Sequence, residues 1–203
     1  MKIILILCSW SSGSTSVAGF LDRCGCHTCP PHYPTNDPKT PNAYESHALR
    51  NHLHQLIDIE TSEFKQIGKE QVFESFFKDW IEEQKELASN IGKNFIVLKH
   101  PLKIFVMKII EKYTNPEFLV LTRPFEKIES TRLRRRWPEI YGEKAAVVIY
   151  KKIYEYLQQS NHSFLNVSYA NFLKDQKEQQ RIIDFFGLNP TDRQLEDAKN
   201  WLR

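Results

Sequence analysis

Apolar residues along this chain fall into short unbroken runs that alternate with stripes of helical period. Between Ile3 and Leu7 every residue is Ile or Leu, so residues 2–8 predict a strand buried on both faces. Residues 16–24 set Val17, Phe20 and Leu21 on one side of a predicted helix. Helical period returns over 45–57 and again over 71–88, where Phe73, Phe76, Phe77, Trp80 and Ile81 form a broad core-facing stripe. Residues 94–99 predict a second strand, 101–113 a helix opened by Pro101, and 117–122 a third strand. Helices over 124–136 and 143–159 follow, then a fourth strand over 164–169. Two helices close the chain, 176–186 and 192–202, the second introduced by the capping segment Asn189, Pro190, Thr191, Asp192.

Strands alternating with helices imply an α/β fold with a central, mostly parallel sheet between two helical layers, α/β/α. Residues 26–42 break the pattern. They are crowded with Pro, Thr, Asn and His, which predicts a long loop without regular structure, and long loops in compact domains are often functional. No internal repeat or linker divides the chain, so residues 1–203 are expected to form one domain.

Composition narrows the partners. Apolar residues at 41% and charged ones at 26% fit a soluble protein, and no apolar run approaches the ~20 residues of a membrane span. The opening Met1–Cys8 has the charged start of a signal peptide, but hydroxyl residues follow its short apolar run at once, so a first strand is expected instead. A net charge of +3 is too small for general nucleic-acid binding. The cluster Arg132, Arg134, Arg135 and Arg136 is read either as a local anion site or as a solvated helix face. Cys8, Cys24, Cys26 and Cys29 lie near His27 and His32, yet the Cys-x-Cys-x-x-Cys spacing lacks a second distant pair and is awkward for a closed zinc site. Reduced thiols in a cytoplasmic protein, with no metal, are expected.

The polar residues follow strands. Ser11, Ser12, Gly13, Ser14, Thr15 and Ser16 follow the first; Lys99 and His100 end the second; Thr122 and Arg123 end the third; Tyr169 ends the fourth. Ligands of parallel α/β sheets gather beyond the carboxyl ends of strands. A glycine turn before a helix offers free amides and hydroxyls to a phosphate or sulfate. The spacing of a nucleotide-triphosphatase loop is missing, and no Lys stands between Gly13 and the helix.

Together these segments resemble the PAPS-dependent sulfotransferase family, whose donor is 3'-phosphoadenosine 5'-phosphosulfate, and in particular its compact bacterial-type members. The likeness runs over nearly the whole chain. The first-strand motif, a basic residue, Ser, Gly and hydroxyl residues before Val-Ala-Gly, is similar to Ser11, Ser12, Gly13, Ser14, Thr15, then Val17, Ala18, Gly19, with Ser11 in place of the basic residue. The resemblance implies that Ser12 to Ser16 wrap the 5'-phosphosulfate, that Arg123 and Ser130 hold the 3'-phosphate, and that Tyr169 lies beside the adenine. The segments around Glu45 and Lys99 are similar to two further family elements.

What the resemblance implies for chemistry is in-line sulfuryl transfer without a metal, to a hydroxyl or amine of a small-molecule or carbohydrate acceptor. Lys99 suits the charge developing on the bridging oxygen. His100 and Glu45 are alternative general bases; neighbours on a strand point to opposite faces, which sets His100 apart from Lys99. Two rival functions are a non-catalytic protein holding PAPS, its product PAP or a sulfated ligand, and a phosphotransferase using the same anion cradle.

Overall fold

β1, Lys2–Leu7, alternates between two separate cores. Ile3, Leu5 and Leu7 pack into one and Ile4, Ile6 and Cys8 into the other, which is why this strand reads as an unbroken apolar run. The computed structural model describes residues 1–35, 37, 40–59 and 68–202. In chain order β1 is followed by α1 (Ser14–Arg23), β2 (His32–Pro34), β3 (Asn42–Ser46), α2 (His47–Leu56), α3 (Glu70–Asn90) and β4 (Phe95–Lys99). A 3₁₀ segment, Pro101–Val106, leads to α4 (Met107–Tyr113), β5 (Pro116–Thr122), α5 (Phe125–Arg135), a second 3₁₀ turn (Glu139–Tyr141) and α6 (Glu143–Ser160). The chain closes with β6 (Phe164–Ser168), α7 (Tyr169–Lys174), α8 (Gln176–Phe186) and α9 (Asp192–Trp201).

The central sheet has the order β4-β1-β5-β6, and every pairing in it is parallel. One face is covered by α2, α3, α4 and α6, the other by α1, α7, α8 and α9, giving the expected three layers. Beyond β4, His27 adds one further parallel bridge to Ile96. Among the described residues no helix is long and apolar enough to cross a membrane.

Four expectations are corrected. Residues 26–42 are not wholly irregular: β2 pairs antiparallel with β3, with a register shift between His32 and Pro34. Side chains stitch this ribbon, since Asn42 Oδ1 accepts from the Tyr44 amide at 2.7 Å while Asn42 Nδ2 lies 2.9 Å from His32 Nδ1. Glu45 therefore belongs to a strand, and α2 begins only at His47. The helix expected over 101–113 starts as 3₁₀, because His100 Nδ1 accepts the Leu102 amide at 3.1 Å and tightens the first turn after Pro101. Tyr169 opens α7 rather than closing β6.

Candidate functional site

The loop from Cys8 to Gly13 carries the chain from the carboxyl end of β1 into α1. Ser11 adopts φ 58° and Gly13 φ 93°, left-handed backbone that favours glycine. A Cβ on Gly13 would lie 2.3 Å from Tyr169 Cε2, so the close approach of that ring requires glycine as much as the turn does. The loop is tied at two points: Ser12 Oγ donates to Ser9 O at 2.7 Å, and Arg123 Nη1 donates to Ser11 O at 2.9 Å. α1 has no side-chain cap, leaving its first amides and partial positive charge at the loop. Among the described residues Ser11 Oγ is buried without a hydrogen-bond partner. A buried hydroxyl left unpaired is costly, and an anion's oxygen would satisfy it.

A cleft of about 840 Å³ opens at this end of the sheet, lined by residues from the ends of all four parallel strands: the loop after β1, Lys99 of β4, Arg123 after β5 and Tyr169 after β6. This is where a parallel sheet collects ligands. α5 adds Thr131, Arg134 and Arg135, and the β2–β3 ribbon adds Tyr33, Asp37 and Glu45. Asp37 bridges Arg135 at 3.0 Å and Arg134 at 3.2 Å. Arg123 stacks against Tyr169, 5.0 Å from the ring centre, and donates to Thr131 Oγ1 at 3.1 Å. Its partial burial lowers its pKa from the ordinary guanidinium value.

Lys99 and Glu45 form a buried pair. Lys99 Nζ donates to Glu45 Oε1 at 2.7 Å and to Ala43 O at 2.9 Å. Burial alone would raise the Glu45 carboxyl, but Lys99, joined by His100 and Arg50, outweighs it and holds the group at about 2. Arg50 Nε lies 4.0 Å from Glu45 Oε2, with its guanidinium 3.8 Å from the centre of the Tyr33 ring. His54, one helical turn beyond Arg50 on α2, also lines the cleft. Its Nε2 is buried with no partner among the described residues, and burial, with the nearby Arg50 charge, pushes the imidazole down to about 4.

Several residues singled out in the sequence are placed differently from expectation. His100 is 1% exposed and does not line the cleft. Its Nδ1 accepts the Leu102 amide, so in the neutral ring the remaining nitrogen, 3.7 Å from Glu45 Oε2, carries the proton. That leaves no lone pair for a substrate, and burial pushes the ring down to about 3. Ser130 is exposed on α5 and lies outside the cleft wall; the adjacent Thr131 lines it. Ser12 turns its hydroxyl inward. Ser11, Gly13, Ser14, Thr15, Ser16, Lys99, Glu45, Arg123 and Tyr169 are brought together in the cleft. Sequence reasoning passed over Trp10, Tyr33, Arg50, His54, Thr131 and Trp201. The signal for Thr131 was available: it stands three residues after the buried Ile128 and four before Arg135, on one helical flank.

The cysteines lie elsewhere. Cys24, Cys26 and Cys29 are buried free thiols, and burial raises all three, Cys24 to about 12. His27 Nε2 is engaged with Gln84 Oε1 at 2.9 Å. Among the described residues no three His, Cys, Asp or Glu side chains are gathered as a metal site.

No protein-family model matches this chain, and no curated protein does. Among solved structures, it is similar to the sulfotransferase domain from the Synechococcus PCC 7002 olefin synthase, at 18% sequence identity, over 97% of this chain and 77% of that one. The TM-score of 0.64 makes this a shared fold, the mostly helical α/β architecture around a four-stranded parallel sheet.

Proposed function

We propose that this chain transfers a sulfuryl group from PAPS to a hydroxyl or amine of a small-molecule or carbohydrate acceptor, leaving PAP. The observation that carries this reading is the cleft itself. A hydroxyl loop opening a helix and the three arginines Arg123, Arg134 and Arg135 face one cavity at the strand ends, as a nucleotide bearing anions at two positions requires. The fold shared with a sulfotransferase domain supports it.

On this reading the amides of residues 11–15, with the unpaired Ser11 hydroxyl, hold the 5'-phosphosulfate, and Ser12 contributes backbone alone, the Ser16 amide being given to Gly13 O at 3.0 Å. Arg123, Thr131, Arg134 and Arg135 hold the 3'-phosphate in place of the Arg123 and Ser130 pair. Tyr169 and Trp201 offer aromatic faces to the adenine. When bound, PAPS supplies a sulfuryl group already activated by its phosphate leaving group. Lys99 keeps one N–H beyond the two given to Glu45 and Ala43, free for negative charge developing on an oxygen in the cleft. Glu45 orients that ammonium. His54, neutral and facing the cleft, takes the acceptor's proton at Nε2, a role that neither the salt-bridged Glu45 nor the capping His100 can fill.

Calorimetric titration with PAP, beside ADP and adenosine 5'-phosphosulfate, tests the reading. Micromolar binding that requires the 3'-phosphate is the expected result. Equal binding of ADP would favour phosphoryl transfer, and no binding of PAP would overturn the proposal.

A further inference from the structure

Lys103 is a lysine buried in the protein interior, 1% exposed, on the 3₁₀ segment behind the cleft. Its Nζ donates to the carbonyl of Ile6, one residue before the end of β1. The charged and titratable groups facing it are Cys8 after β1, Lys99 from β4 and Glu45 from β3. Glu45 is already committed, with Oε1 on Lys99 and Oε2 beside His100 and Arg50. Among the described residues Lys103 forms no ion pair with a carboxylate. An ammonium taken out of water with a single carbonyl partner is costly unless a negative charge offsets it.

The offset has a place to come from. From Ile6 the chain runs through Leu7 into the anion loop, whose Ser11 hydroxyl is also buried and unpaired. Between Ser9 and Ser16 that loop contains no lysine or arginine of its own. Buried charges are screened far less than surface ones, so a cation behind the loop acts on an anion in front of it without touching it.

We infer that Lys103 is the buried counter-charge of the anion held by the loop after β1, a positioning residue that acts through the backbone, and that anion binding is coupled to its protonation. The inference rests on the donor reading of the cleft and adds to it. Burial pushes the Lys103 ammonium down to about 8, Lys99 acting in the same direction while Cys8 and Glu45 oppose it. An anion in the loop restores the charged form. Below about pH 8 both free and bound states carry the proton. Above that the free protein loses it first, so binding takes up a proton and weakens as pH rises.

The test is calorimetry of PAP, and separately of inorganic pyrophosphate, at pH 8.5 in two buffers of different ionisation enthalpy. Wild type is expected to take up about half a proton per PAP bound. Lys103→Met should take up none and bind PAP about tenfold more weakly at pH 7, equivalent to a one-unit shift of the lysine. Should Lys103→Met fail to fold, the wild-type uptake alone decides. PAP binding without uptake overturns the inference and leaves the donor reading standing. Pyrophosphate binding with uptake, while PAP fails to bind, upholds Lys103 and overturns the donor reading. Failure of both anions overturns both.

Discussion

The two ends of the parallel sheet carry grooves edged by the same kinds of residue, yet their charges are arranged differently. At the amino end a groove of about 510 Å³ is edged by Lys2, Lys85 and Lys112. Each is matched by a carboxylate: Lys2 by Glu117 at 3.1 Å, Lys85 by Glu82 at 2.7 Å, and Lys112 by Glu74. At the carboxyl end Asp37 and Glu45 face Arg50, Lys99, Arg123, Arg134 and Arg135. Cations there outnumber the carboxylates, and Lys99 and Glu45 are withdrawn from water. A groove alone therefore says little, and so does a buried polar atom without a hydrogen bond, since Glu117 Oε2 is one at the amino end; what sets the carboxyl-end cleft apart is its surplus of positive charge.

Breaking the carboxyl end should cost most at Lys99. Lys99→Ala is expected to lower sulfuryl turnover at least ~100-fold, with PAP affinity changed less than about threefold. A parallel loss of both, measured by single turnover and calorimetry, would make Lys99 a binding group instead.

Next in size is the acid limb of stability. Lys99 and its neighbours depress the Glu45 carboxyl to about 2 against the pull of burial. A depressed carboxyl contributes stability that is complete above about pH 4.5 and is lost as pH falls towards 2, here on the order of 3 kcal/mol. Urea unfolding at stepped pH should show that slope in wild type and a flatter one in Glu45→Gln. Identical slopes would mean that the pair does not hold in solution.

A smaller effect sharpens the comparison within α5. Thr131→Val should weaken PAP about fivefold, by one hydrogen bond, and leave binding of the analogue lacking the 3'-phosphate unchanged, whereas Ser130→Ala should change neither. The reverse pattern would restore Ser130 to the site. The smallest effect belongs to the amino end, where Lys112→Ala should leave both thermal midpoint and PAP affinity at wild-type values. A loss of PAP affinity there would remove the distinction between the two grooves.

The sheet was legible in the sequence because β1, β4 and β5 are buried and so written as apolar runs, while the edge strand β6, buried at Leu165 and Val167 only, is written as an alternation. The β2–β3 ribbon was hidden, since it is short, interrupted by Pro34 and held largely by side-chain bonds of Asn42 rather than by an alternating pattern. At the site, sequence placed the polar residues at strand ends but not their direction. One residue along a helix turns a side chain by about 100°, which separates Ser130 from Thr131. His100 beside Lys99 looked like chemistry, and its ring went instead to cap the turn after Pro101. Lys103 is invisible to any pattern search, because a lysine among Pro101, Leu102, Ile104 and Phe105 reads as the exposed position of an apolar segment.

The single bridge of His27 to Ile96 reaches beyond pairing. The His27 amide donates to Phe95 O at 2.7 Å and the Val97 amide to His27 O at 2.8 Å, while Lys93 Nζ pins Cys26 O at 2.7 Å. Those β4 groups would otherwise sit at the rim of an all-parallel sheet as an open template for a foreign strand. Covering them with one residue of ordered chain denies intermolecular sheet growth a foothold there, so resistance to aggregation is built into a segment that takes no part in the cleft.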